Sequence, residues 1–88
     1  MDKDFFVSIT TPEKTIYEGK AVSLIAPAEL GYLGVLANHA PFMANTVSGK
    51  IIIREASGQA LTISVQGKGF LEVLKNQVTL LLSNASEN

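Results

Sequence analysis

The sequence contains no cysteine, no tryptophan and one histidine among 88 residues. Without cysteine there is no disulfide framework, no thiolate metal site and no cysteine nucleophile, a composition that suits a reducing compartment. A zinc site would have to combine one imidazole with scattered carboxylates. A serine triad would have to use His39, and no Gly-x-Ser-x-Gly elbow accompanies it. Positive charge is sparse as well: seven Lys and Arg stand against eight Asp and Glu, with no basic run, so nucleic-acid binding through phosphate neutralisation is not expected. Apolar runs stop at three residues, as at Ile51-Ile52-Ile53 and Leu80-Leu81-Leu82, and Met1 is followed by Asp2, Lys3 and Asp4. Neither a conventional export signal nor a membrane span is expected from that pattern. Gln66-Gly67-Lys68-Gly69 is glycine-rich but lacks the Gly-x4-Gly-Lys-Ser/Thr spacing and a following helix, so it reads as a tight turn.

What is present is apolar and alternating. The length fits one small domain, in which burial is limited, and 47% of the residues are hydrophobic, so some apolar surface is left for a partner. Phe5, Val7 and Ile9 alternate with Phe6, Ser8 and Thr10, and Thr11-Pro12-Glu13-Lys14 then turns the chain. Ile16-Tyr17 and Val22 to Ala26 read as two short strands ending at Pro27. Further strands are expected near Tyr32 to Leu36, from Phe42, over Lys50 to Ala56, over Leu61 to Gln66, over Phe70 to Leu74 and over Val78 to Leu82. Gly58 marks a hairpin, Gly67 and Gly69 a sharp connection, and Asn76 a position able to take a positive φ. Ser83 to Asn88 look too short and polar to pack. No window carries a helical apolar stripe. The rhythm predicts an all-β fold, a sandwich or flattened barrel of about ten short strands, with residues 1–84 as its single domain and 85–88 as a polar tail.

The most unusual stretch is Gly31 to Phe42, GYLGVLANHAPF, which holds two glycines, the only histidine and Pro41. Glycine at 31 and 34 supplies either a conformation closed to other residues or room for a close neighbour. Pro41 biases Ala40 toward extended geometry and so leads the chain into a strand at Phe42. Two interpretations stand side by side: a structural turn whose histidine is satisfied locally, and a docking surface. Outward apolar residues such as Phe6, Ile52 and Leu81, each flanked by inward ones, favour docking of another protein. A free-standing β-sandwich binding module is the alternative, though such modules expose several aromatic residues and this chain has only two Tyr and no Trp. A small hydrolase built on His39 is a third option, without nameable partners for the imidazole.

Gly31-Tyr32-Leu33-Gly34-Val35-Leu36-Ala37-Asn38-His39-Ala40-Pro41-Phe42 resembles the G-x-L-G-[IV]-x-x-x-H-A-P signature of the epsilon subunit of bacterial F-type ATP synthases, the counterpart of the mitochondrial delta subunit. Flanking features agree in order: the Thr-Pro-Glu turn, Tyr17-Glu18-Gly19, Ser48-Gly49, and Gly69-Phe70-Leu71-Glu72-Val73 before Val78-Thr79-Leu80-Leu81. The resemblance spans roughly residues 4 to 84. It implies a ten-stranded β-sandwich, a non-catalytic rotor subunit of a proton-translocating ATP synthase, without a cofactor of its own. Its implied partners are the gamma shaft and the c-ring, with the alpha and beta subunits of the catalytic head touched indirectly. Its implied place is peripheral, on the cytoplasmic face of the inner (plasma) membrane. By the same resemblance Glu29, Tyr32, His39 and Ala44 face the ring, and Thr11 with its turn faces the shaft. Some relatives carry a carboxylate where this chain has Tyr32, so an aromatic contact or the charge of Glu29 is expected to replace it. Most bacterial relatives continue into two C-terminal helices that inhibit hydrolysis and, in some, bind ATP; the chain as given ends near the sandwich boundary and is expected to do neither through them.

Overall fold

The computed structural model describes residues 3–87, which form seven β-strands and no helix. They are β1 (Phe5–Thr10), β2 (Thr15–Ala28), β3 (Gly31–Leu36), β4 (Phe42–Thr46), β5 (Gly49–Glu55), β6 (Ala60–Leu74) and β7 (Gln77–Glu87). Pairing is antiparallel except between β1 and β7, where Phe6–Thr10 run parallel to Gln77–Leu81. Following the partners from β1 to β2, β5, β6 and β7 returns to β1, so the sheet wraps onto itself as a flattened barrel. β3 pairs only with β2, and β4 runs along β6 and meets the end of β2 at Thr46, opposite Ala28.

Alternation decides which side of each strand enters the core. Phe5, Val7 and Ile9 from β1 meet Ala21, Leu24 and Ala26 from β2, Ile51 and Ile53 from β5, Ile63, Leu71 and Val73 from β6, and Val78, Leu80 and Leu82 from β7, all buried. The three consecutive isoleucines split as the pleat requires: Ile51 and Ile53 point inward while Ile52 stays 45% exposed.

The all-β class holds, but the strand count falls from about ten to seven, because long bent strands replace pairs of short ones. β2 covers both expected segments, with a register irregularity between Ala21 and Ser23. β6 does the same across Gln66 to Gly69. There Gly67 takes φ +81, so the glycine pair makes a bulge inside one strand where a turn between two was expected. The expected polar tail is corrected too. β7 continues to Glu87 and pairs Asn84 to Glu87 with Gln66 to Ile63, burying Ala85; Asn88 lies outside the described residues, as do Met1 and Asp2.

Candidate docking surfaces

Glu29 and Leu30 form the two-residue connection between β2 and β3, with Ala28 opposite Gly31 at φ +127. The Glu29 N–H donates to the Asn45 carbonyl at 3.0 Å, and the Val47 N–H donates to the Pro27 carbonyl at 2.9 Å. These bonds pin the hairpin tip against β4. Tyr32 sits opposite Pro27 and leans over it toward β5, its hydroxyl accepting from the Lys50 N–H at 3.5 Å. Ala44, half-buried, faces Leu71 on β6.

The outcome is a cleft of about 400 Å³ between hairpin tip and β4, lined by Glu29, Leu30, Tyr32, Phe42, Met43 and Ala44 among others. Three of the four expected ring-facing residues, Glu29, Tyr32 and Ala44, therefore converge. His39 does not line the cleft. Its Nδ1 donates to the Ala40 carbonyl at 2.7 Å, and its ring meets that of Phe42 edge-on, centroids 6.1 Å apart. The imidazole thus supports a cleft residue from behind, within a locally satisfied turn that Asn38 ties to the β6–β7 hairpin through Asn76 Oδ1 at 2.6 Å. Thr11 stands elsewhere, in a shallow hollow of about 310 Å³ shared with Thr10, Pro12, Leu81 and Leu82. Its N–H and hydroxyl both reach the Lys14 carbonyl, at 2.9 and 3.3 Å, which closes the turn.

That hollow opens onto a larger apolar face. Pairing of β4, β6, β7 and β1 puts Asn45, Phe70, Leu81 and Thr10 in one outward row, Met43, Glu72, Thr79 and Ser8 in the next, and Leu74, Gln77 and Phe6 in a third. Phe6, Met43, Phe70, Leu74 and Leu81 are all exposed there, with Leu81 at 53%. The opposite layer exposes Ile25 beside Ile52. Leu30, fully exposed at the hairpin tip, and Met43 are surface residues that the sequence did not single out. The available signal for Leu30 was an apolar side chain at the tip of a two-residue turn, a position normally polar.

Chemistry beyond binding has little to work with. Among the described residues no group of three His, Asp or Glu side chains stands close enough to hold a metal, and no helix is long and apolar enough to cross a membrane. Among the described residues the one strongly perturbed titrating group is Tyr17. Burial, followed by its hydrogen bond to Glu55 Oε2 at 2.6 Å and the nearby charges of Glu55 and Glu87, pushes the phenol up to about 12. This pair fastens β2 to the end of β5 and lies apart from the cleft.

Comparison with known proteins agrees with this geometry. A family model described as "ATP synthase, Delta/Epsilon chain, beta-sandwich domain" matches residues 4–88. Curated relatives include the ATP synthase epsilon chain of Dichelobacter nodosus, 35% identical over 98% of this chain and 59% of the relative, and that of Leptospira borgpetersenii, 42% identical over 91% and 61%. The chain thus spans about three-fifths of the length of these relatives. Among solved structures, a chain of the Euglena gracilis mitochondrial ATP synthase, OSCP/F1/c-ring in rotational state 1, superposes with a TM-score of 0.90 at 17% identity, covering 99% of this chain and 55% of that one. A chain of the Tetrahymena thermophila mitochondrial ATP synthase central stalk/c-ring structure gives 0.74 at 17% identity, covering 91% and 63%; at such identities the likeness is one of fold. With a whole-domain family match, relatives above the identity that fixes kinship, and a sheet of the same shape, this chain belongs to the ATP synthase delta/epsilon chain beta-sandwich family.

Proposed function

We propose that the chain is a non-catalytic central-stalk component of an F-type ATP synthase, docking on the gamma shaft and on the c-ring so that ion flow is coupled to ATP synthesis in a catalytic head built by other subunits. The observation that carries this is the coincidence of family membership with exposed apolar surface at two separate places. The cleft at Glu29, Tyr32 and Ala44, backed by His39 and capped by Leu30, suits the ring. The outer face running from the Thr11 hollow through Leu81 and Phe70 suits the shaft. The alpha and beta subunits are reached only through the shaft, and the subunit sits peripherally on the cytoplasmic face of the inner (plasma) membrane, without a cofactor of its own.

Burying such a face is enough for stable association, since an interface of standard size covers ~800 Å² per partner. The test is to mix the chain with a gamma-type shaft subunit and resolve the mixture on a sizing column. A stoichiometric complex is expected at micromolar concentration, weakened at least about tenfold by Leu81→Glu, which places an unpaired carboxylate in the contact. Separate elution of the two proteins would sink the assignment.

A further inference from the structure

β3 is the one strand with an entirely unpaired outer edge among the described residues: it pairs with β2 and with nothing else. Which of its backbone groups are free follows from β2. Pro27 and Glu29 direct their backbone groups at β4, through the Val47 and Glu29 bonds, so Ala28, Ala26 and Leu24 direct theirs at β3. In register these meet Gly31, Leu33 and Val35. Tyr32, Gly34 and Leu36 therefore present their N–H and C=O groups outward, a three-residue ladder without a partner.

Natural edges of this kind are usually blunted by charge, proline or a bulge. β3 has none of these: its sequence is GYLGVL, and its pairing with β2 runs without a register break. The approach is open. Gly34 has no atom within 4 Å of where a Cβ would stand, and Tyr32 leans away over Pro27. Elsewhere the edges are guarded: β4 is entered through Pro41 and tied to β2 at Thr46, and the end of β7 carries Glu87.

We propose that this edge pairs with the same edge of a second copy of the chain, antiparallel and centred on Gly34. Two-fold symmetry sets Gly34 opposite Gly34 and Tyr32 opposite Leu36, so each free N–H finds a carbonyl and no charge faces a like charge. Antiparallel pairing also brings the β2–β3 turn of one copy, with Glu29, to the same end of the contact as the turn after β3 of the other, with His39, so an acidic and a basic side chain flank each end. Self-pairing through β3 closes its open edge in the free chain, and because it involves no other protein its test stands apart from that of shaft and ring binding.

The experiment uses the 88-residue chain alone. By sedimentation its mass is expected to rise from 9.4 kDa toward twice that value with concentration. As a contact smaller than the standard ~1,600 Å² class, it is read at concentrations on the order of 0.1–1 mM. Over the same range, hydrogen exchange at the Tyr32, Gly34 and Leu36 amides is expected to slow at least about tenfold, while Leu33 and Val35, already bonded to β2, do not change. Gly34→Pro removes the central donor without touching the β2 ladder and is expected to hold the chain monomeric. Gly34→Lys, whose side chain has open space, does so by setting two like charges directly opposite each other, should proline disturb the strand. A chain that stays monomeric to millimolar concentration, amides at 32, 34 and 36 that never slow, or a dimer indifferent to both variants would each overturn the proposal.

Discussion

Thr46 is the only polar side chain in the core among the described residues, 1% exposed, and its hydroxyl has no hydrogen-bond partner. A buried donor left unsatisfied carries a desolvation penalty of about 1–3 kcal/mol. Thr46→Val keeps the shape and removes the hydroxyl, so it is expected to raise stability by about 1 kcal/mol, read as a higher urea midpoint at unchanged slope. Tyr17 supplies the opposite case. Its phenol titrates near 10 when unfolded and at about 12 when folded. The folded chain therefore holds its proton more tightly, so the contribution is fully present below pH 10 and is lost as pH climbs toward 12. Melts between pH 9 and 12 should show the wild type losing stability faster than Tyr17→Phe, and parallel curves would remove Tyr17 from the account. The Tyr17 case follows from a partner far away in sequence. Tyr17 meets Glu55 across 38 positions, and nothing near either residue marks the pair.

At the level of elements, the strands visible in the sequence were those whose inward residues are large and strictly alternating, such as β1 and β5. What was not visible was continuity. Gly67 and Gly69 carry the same local signal whether they close a turn or make a bulge, and only the partner strand decides; here Gln66 pairs with Asn84 and Gly69 with Leu82. Gly69 is also required by contact. A Cβ there would lie 2.7 Å from the Leu81 carbonyl oxygen and 2.6 Å from Leu82 Cδ2. Since backbone cannot yield as a flexible side chain can, Gly69→Ala is expected to destabilise by about 1–3 kcal/mol, measured in the same unfolding assay. The end of β7 was hidden for another reason. Ser83-Asn84-Ala85-Ser86-Glu87 has one apolar residue, too few to show a period, yet pairing with β6 covers Ile63 and Val65. Removing residues 83–88 uncovers those side chains and is expected to cost about 2 kcal/mol or more, seen as a lowered thermal midpoint.

Across the whole molecule, a wall only one strand thick surrounds one core. The strands are apolar on the inside by necessity, so every large apolar residue on the outside is additional to folding. Leu30 and Leu81 test this separately. Leu30 is fully exposed at the hairpin tip, and Leu81 is 53% exposed beside the Thr11 hollow. Substitution at such sites normally changes stability by no more than about 0.5 kcal/mol. That Glu29, Tyr32 and Ala44 share one surface was legible in the sequence, but Leu30 was not, because a leucine in sequence looks the same whether it enters a core or crowns a turn. The expected pattern is a split: Leu30→Asp weakens capture by detergent-solubilised c-ring and leaves the gamma complex intact, whereas Leu81→Glu does the reverse, with both variants melting close to wild type. Two partners gripping two faces require that separation. A single variant abolishing both interactions while leaving the melt unchanged would place shaft and ring on one surface, and the wall of β1, β7, β6 and β4 would then need another explanation for its exposed Phe6, Phe70 and Leu74.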